Sequence, residues 1–254
     1  MATEPDPVVG RTEDYTNTVA DETGQAAGTL SVIIPCFNER RTILAVLERV
    51  QRVDIRKEVI VVDDGSSDGT RELLAHLNGL CAGVKVLFHE QNRGKGAAIR
   101  TGLEQATGEI VIIQDADLEY DPEEYHTVVG PIAAGRAEVV YGSRNLRRND
   151  YSSLAFYWGG RLLTLVANVL YGARLTDEAT CYKAFLRPVV QSLKLEATGF
   201  EFCPEVTAKL LRSGHAIHEV PITYHPRSRE EGKKITARDG FLALWTLLKY
   251  RFVK

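Results

Sequence analysis

The sequence predicts an α/β fold: a mostly parallel central sheet with helices on both faces. Two observations carry this expectation. Short, β-branched apolar runs alternate with stretches of helical spacing, in the order β-α-β-α-β-α-β that builds a parallel sheet. Three of the runs end in polar clusters, Asn38-Glu39, Asp63-Asp64 and Asp115-Ala116-Asp117. Parallel strands that stop this way place their polar ends along one edge, where open α/β sheets bind ligands.

The elements follow in order. Leu30 to Pro35 reads as a strand that Pro35 stops. Cys36 to Glu39 is a loop, and a helix begins near Thr42, with Ile43, Val46, Leu47 and Val50 on one face. Glu58 to Val62 is the second strand, and Ser67 or Asp68 caps the helix that carries Leu74 and Leu77. Val84 to Phe88 is the third strand. Asn92 to Ile99 leads into a helix whose Ala98, Gly102 and Ala106 permit close packing on the sheet. Ile110 to Ile113 is a continuous apolar run, as in a strand buried on both faces. A helix from Pro122 and a strand from Glu138 to Tyr141 complete the alternation.

Composition narrows the class. The chain has 254 residues and a formal charge of −3, which gives no reason to expect nucleic acid. Cys36, Cys81, Cys181 and Cys203 show no zinc spacing and read as reduced, mostly buried small hydrophobes of a reducing compartment. Residues 1–28 are acidic, lack hydrophobic periodicity and lack the plan of a signal peptide, so they read as a disordered tail. No run approaches the roughly 18 apolar residues of a membrane span.

The chemistry starts at Asp115 and Asp117. Two carboxylates where a buried strand ends repel each other, and a hard divalent cation with oxygen ligands resolves that repulsion and can clamp a diphosphate. An acidic turn that caps the next helix, with Asp121 as N-cap and Pro122 as the first helical residue, explains the pair equally well. Two other nucleotide signatures fail on spacing: Ile99 stands where Gly94-Lys95-Gly96 would need a third small residue, and no P-loop exists.

Four ordered motifs now coincide: residues 32–39, VIIPCFNE; residues 61–70, VVDDGSSDGT; Asn92-Arg93-Gly94-Lys95-Gly96; and Asp115-Ala116-Asp117. Together they resemble the family 2 glycosyltransferases of GT-A fold, which have a Rossmann-like nucleotide-binding half. Asp115 to Glu119, Gly142-Ser143-Arg144, Val220 to Tyr224 and Gly232 to Ile235 resemble the dolichol-phosphate mannosyltransferase and polyprenyl-phosphate glycosyltransferase branch. The resemblance covers roughly residues 30–236. It divides the chain into the tail, a GT-A domain over residues 29–238 and a C-terminal amphipathic helix over residues 239–254.

The resemblance implies roles. Pro35, Glu39 and Asp64 would lie beside the nucleotide base or ribose, and Asp115 would touch ribose or metal. Asp117 would bind Mg²⁺ or Mn²⁺, and Glu119, where relatives often carry Gln, can coordinate as well. Lys95 would stand near the sugar diphosphate. Arg144 and Arg161, the latter at the head of the apolar helix ending at Tyr171, would bind an acceptor phosphate. Asp177 would face the active site. In the basic loop over residues 227–234, Arg229 and Lys234 would close over the diphosphate. Glu201 and Glu205 are the remaining acids that could approach the sugar, and both could equally begin the helix containing Val206, Leu210 and Leu211.

The implied reaction is an inverting transfer of a hexose from a nucleoside-diphosphate sugar to a polyprenyl phosphate. A phosphate acceptor needs no strong base, and no His offers one. The rival is a soluble or glycan hydroxyl acceptor, with Asp177 or Glu201 as base. A non-catalytic nucleotide-sugar-binding protein is the alternative of another class. Near the C-terminus, Phe241, Leu244, Trp245, Leu248 and Phe252 share a face, flanked by Lys249, Arg251 and Lys254. A membrane interface and a packed domain surface explain that face equally. A lipid-linked acceptor tips the expectation towards a cytoplasmic protein peripheral on the cytoplasmic face of a membrane, with a membrane-protein partner as a further contact.

Overall fold

A sheet in the order β3-β2-β1-β4-β6-β5-β7 organises the computed structural model, which describes residues 29–227 and 234–253. The strands are β1 (Leu30–Cys36), β2 (Lys57–Asp63), β3 (Val84–Phe88), β4 (Ile110–Ile113), β5 (Val139–Ser143), β6 (Lys183–Leu186) and β7 (His218–Pro221). The expected tail, residues 1–28, lies outside the described residues, as does Arg229.

The first half is the parallel sheet expected. β1 pairs in parallel with β2 and β4, and β2 with β3. β1, β2 and β4 are almost wholly buried, which is why their sequences are continuous apolar runs without alternation. Helix α1 (Ile43–Arg52) buries Ile43, Val46, Leu47 and Val50, the predicted face. Helix α3 (Lys95–Gln105) approaches β1 closely because a Cβ on Gly102 would meet Ile33 Cγ2 at 2.5 Å. Asp121 caps the turn at Pro122–Glu124 by accepting from the Glu123 amide, ahead of α4 (Tyr125–Ala133). Helix α2 (Thr70–Leu77) is capped differently from expectation. Gly69, with φ of 95°, is the N-cap, and Asp68 accepts from the Thr70 amide one residue inside.

The second half departs from strict alternation. β6 runs antiparallel between β4 and β5, so β5 keeps its direction but is not β4's neighbour. Its four residues include the buried Lys183, which breaks the apolar signal. Burial is tolerated because the ammonium donates to the Glu178 carbonyl at 2.8 Å and lies 3.4 Å from the Tyr141 ring centroid. A second correction concerns Arg161. Helix α5 spans Leu154–Tyr171, with Ser153 as N-cap accepting from Phe156 N, so Arg161 sits inside the helix and not at its head.

After α6 (Arg187–Ser192), α7 (Phe202–Arg212) and α8 (Ala237–Phe252) pack against each other and against α5. α8 buries Ala243, Thr246, Leu247 and Tyr250. Phe241, Trp245, Leu248 and Phe252 of the predicted apolar face point outward, and α5 exposes Trp158, Leu162, Leu165 and Val169. Among the described residues no helix is long and apolar enough to cross a membrane.

Glu205 and Glu201, two candidate site acids, serve the fold. Glu205, fully buried, accepts from the Glu196 amide at 2.8 Å, the Ala197 amide at 2.7 Å and Tyr250 Oη at 2.8 Å, and pairs with Lys209 at 2.7 Å. Glu201 accepts from the Thr198 and Gly199 amides. Burial pushes the Glu205 carboxyl up, but these donors outweigh it and hold it below the usual glutamate range.

Glu205→Ala should therefore cost about 3 kcal/mol and lower the melting temperature by ~6–12 °C at neutral pH. A depressed carboxyl stabilises the fold above its unfolded pKa, ~4.3, and loses that contribution as pH falls through the folded value. The gap between parent and variant should narrow below about pH 4. Equal melting temperatures at pH 7 would show that the buried network adds nothing.

Candidate active site

The carboxyl ends of β1, β2 and β4 bring the three polar clusters to one edge, as the parallel register requires. They open on a cavity of about 1060 Å³. Of the predicted site residues within the described chain, Pro35, Glu39, Asp64, Lys95, Asp115, Asp117, Glu119, Arg144, Arg161, Asp177 and Lys234 line it, whereas Glu201 and Glu205 do not.

The loop after β1 is held by side-chain bonds. Asn38, at φ 51°, donates its amide to Ser66 Oγ and accepts from the Ser67 amide. The Glu39 amide donates to Thr70 Oγ1. Glu39 and the Asp63-Asp64 loop are thus fixed to one another. Asp64 itself is fully engaged. It accepts from His89 Nδ1 at 2.7 Å, from the Arg93 amide at 2.9 Å and from the Gly94 amide at 2.8 Å. It holds the loop that starts α3, and with it Lys95. His89, which sequence reasoning passed over, is buried, and its other ring nitrogen lies 3.0 Å from Thr101 Oγ1.

Glu39, Asp115, Asp117 and Glu119 form an acidic wall, and each meets a cation or donor. Lys95 Nζ is 2.5 Å from Asp115 Oδ1. Arg227 Nη2 is 2.6 Å from Asp117 Oδ2, and its Nη1 is 3.1 Å from Glu39 Oε2. Lys234 Nζ is 2.7 Å from Glu39 Oε1 and also donates to the Phe37 carbonyl. Glu119 accepts from Tyr224 Oη at 3.0 Å and from the Arg227 amide at 2.8 Å, so it clasps the segment that delivers Arg227. Arg227 was not among the residues singled out; its place depends on how the chain after β7 crosses the pocket, which no local spacing encodes. Burial pushes the Asp117 carboxyl up to about 7; the charges of Asp115 and Glu119 add to the rise and Arg227 opposes it.

This donor set fits a hard divalent cation. Asp115 and Asp117 offer buried carboxylate oxygens at one strand end, with the Glu119 carboxylate two residues on. Among the described residues no three such side chains already converge on one point.

Two arginines, Arg144 and Arg161, line the same cavity. Arg144 grips Asp177 bidentately, Nε to Oδ2 at 2.7 Å and Nη2 to Oδ1 at 2.8 Å, and its backbone amide donates to the same carboxylate. Its guanidinium carbon lies 5.1 Å from the Tyr224 ring centroid. Glu219 on β7, unnoticed in the sequence, accepts from the Thr176 and Asp177 amides and fixes that turn. Arg161 reaches the Thr176 carbonyl at 3.4 Å, so both arginines border one turn of chain. The same cavity is also lined by Tyr157, Leu162, Phe241 and Leu244.

Comparison with known proteins agrees with this architecture. Residues 31–193 match the family described as Glycosyl transferase family 2. The chain is 32% identical over 211 residues to the low-salt glycan biosynthesis hexosyltransferase Agl6 of Haloferax volcanii, covering 80% of this chain and 49% of that protein. It is 29% identical over 213 residues to the dolichol-phosphate mannosyltransferase of Pyrococcus furiosus, covering 80% and 58%. The chain thus spans about half the length of these relatives. The glucosyl-3-phosphoglycerate synthase of Mycobacterium tuberculosis, in complex with Mn²⁺, UDP and glucosyl-3-phosphoglycerate, shares the fold. Its TM-score is 0.68 at 24% identity, over 90% of this chain and 82% of that one.

Arg227 and a divalent cation make the same demand on Asp117. Arg227→Met should therefore tighten Mn²⁺ binding in the absence of nucleotide at least fivefold, measured by the electron paramagnetic resonance of free Mn²⁺. An unchanged affinity would place the ion away from Asp117.

Proposed function

Because the chain belongs to glycosyl transferase family 2, we propose that it moves a hexose from a nucleoside-diphosphate sugar to a polyprenyl phosphate. The observation that carries this reading is the continuity of the cavity. One space is lined by the acidic wall, by Arg144 and Arg161, and by apolar residues of α5 and α8. Those three linings match a nucleoside diphosphate with its ion, an acceptor phosphate and a lipid chain. The names of the similar proteins, a hexosyltransferase and a dolichol-phosphate mannosyltransferase, support the same substrate classes.

Asp115 and Asp117 would hold Mg²⁺ or Mn²⁺, with Glu119 beside them. When bound, the ion neutralises the departing diphosphate, the largest charge that develops in the transition state. The protein's own residues do the rest. Lys95, Arg227 and Lys234 lie beside the acids and would donate to diphosphate oxygens as those acids engage the ion. Arg144, held rigid by Asp177, presents its guanidinium edge to the acceptor. Asp64 and the Asn38 loop keep the base and ribose end in register.

The acceptor class follows from what the carboxylates already do. A hydroxyl acceptor needs a base, yet both Asp177 oxygens bind Arg144, and Glu201 is engaged by backbone amides. A phosphate monoester has a second pKa of ~6 and arrives as its own nucleophile at neutral pH. Its oxygen attacks the anomeric carbon as the bond to the diphosphate breaks, and no proton must be removed.

The outward faces of α5 and α8 support a position at a membrane surface. Trp158 and Trp245 are 65% and 62% exposed, and Lys249 and Arg251 follow on α8. The expected site is the cytoplasmic face, where nucleotide sugars are supplied.

Purified protein with Mg²⁺ or Mn²⁺ should transfer hexose from a UDP- or GDP-hexose to a short polyprenyl phosphate. Arg144→Ala should lower kcat/KM for the acceptor at least tenfold, the effect of a charge-assisted contact worth ~1.5–3 kcal/mol, while sparing donor affinity. Transfer to simple hydroxyl acceptors but not to the lipid phosphate would overturn the reading. In a flotation assay with anionic vesicles, Trp158→Glu combined with Trp245→Glu should weaken binding at least tenfold without shifting the melting temperature. A parent protein that never floats would remove the membrane from the account.

A further inference from the structure

We propose that Cys181 and Cys203 are a thiol pair that closes to a reversible disulfide inside the donor pocket and so weakens nucleotide binding. The pocket reading is that of the proposed function; the thiol pair itself stands on separate observations.

The two sulfurs are 4.0 Å apart, and both residues line the cavity. They come from distant parts of the chain, Cys181 just before β6 and Cys203 in the first turn of α7. Both are free thiols. A disulfide holds its sulfurs ~2.05 Å apart, so closure needs a movement of about 2 Å, within reach of side-chain rotation and a small shift of the α7 start.

The surroundings divide the roles. Lys95 Nζ donates to Cys181 Sγ at 3.1 Å. Cys203 Sγ donates to the Thr180 carbonyl at 3.6 Å. Cys181 is partly accessible, whereas Cys203 is buried. Cys181 is therefore the sulfur that meets a reagent and Cys203 the one that resolves the product.

The oxidant is a low-molecular-weight disulfide. Cys181 gives up its proton and attacks one of its sulfurs, forming a mixed disulfide and expelling one thiolate. Cys203 then gives up its proton and attacks the Cys181 sulfur, expelling the second thiolate. Two protein thiols lose two electrons and two protons, and one reagent disulfide becomes two thiols.

Closure acts on the site through Lys95. The Cys181 sulfur stops being an acceptor for that ammonium. The start of α7 is also tied to the Lys95 loop, because the Ala97 amide donates to the Thr198 carbonyl at 3.0 Å and a Cβ on Gly94 would lie 2.4 Å from that carbonyl oxygen. Drawing Cys203 inward therefore moves the floor on which Lys95 rests.

The test uses the full chain, treated with oxidised glutathione and then freed of it. Intact mass and peptide mapping should show a protein lighter by two hydrogens with a Cys181–Cys203 crosslink. Calorimetric titration with UDP and with GDP, each with Mn²⁺, should show at least tenfold weaker binding than in the reduced protein. Dithiothreitol should restore it, and Cys203→Ala should show neither crosslink nor loss. The proposal is overturned if the folded protein keeps both thiols, if they bond only to glutathione, or if the crosslinked protein binds nucleotide as before. Should the reduced protein bind neither nucleotide, the donor reading fails, and mass and peptide map then decide the thiol pair by themselves.

Discussion

Four carboxylates, Glu39, Asp115, Asp117 and Glu119, meet at one sheet edge, and their mutual repulsion is the constraint on which the site depends. None of their side chains is more than 12% exposed, so water screens them poorly. Lys95, Arg227 and Lys234 supply the opposing charge from three separate segments: the start of α3, the chain after β7 and the approach to α8. Neutralising the edge therefore draws the C-terminal third of the chain across the nucleotide-binding half. The site and this tertiary closure share the same ion pairs.

An arrangement of paired charges is also one that can change partners. A divalent cation offers the carboxylates a denser charge than a guanidinium, and a diphosphate offers the three basic side chains a better anion than a carboxylate. Under the proposed function, the ion pairs seen here are thus exchanged for ion–carboxylate and cation–phosphate contacts. The second wall behaves differently. Arg144 is gripped bidentately by Asp177, and Glu219 fixes the turn behind it, so this side is rigid. Under the proposed function, a yielding donor wall beside a rigid acceptor wall suits a transfer in which the donor must be enclosed and the acceptor must be aimed.

Much of this was legible in the sequence. Asn38-Glu39, Asp63-Asp64 and Asp115-Asp117 fell on one edge because parallel strands with buried faces leave no other place for polar residues. α1 was legible through its 3.6-residue spacing. The failures have physical causes. β6 was invisible because a buried lysine interrupts a strand of four residues, and its satisfaction by a carbonyl and an aromatic ring is a tertiary fact. Arg161 was set at a helix head because Gly159-Gly160 interrupts the pattern just before it, yet the helix starts at Leu154, capped by Ser153, and runs through both glycines. Asp64, expected beside the base or ribose, also supports the Lys95 loop through its bonds to His89, Arg93 and Gly94, which no local spacing announces. The proximity of Cys181 and Cys203 spans the β6 insertion and could not be inferred from spacing.

The central claim, that one set of acids is shared between built-in cations and an incoming metal–nucleotide pair, is tested most directly by a crystal structure with Mn²⁺ and a nucleoside diphosphate. The account predicts density for the ion against Asp115 and Asp117, with the Arg227 guanidinium withdrawn from Asp117 and bonded to diphosphate oxygens. Arg227 still bound to Asp117 in a fully occupied complex, with the ion held elsewhere, would contradict it.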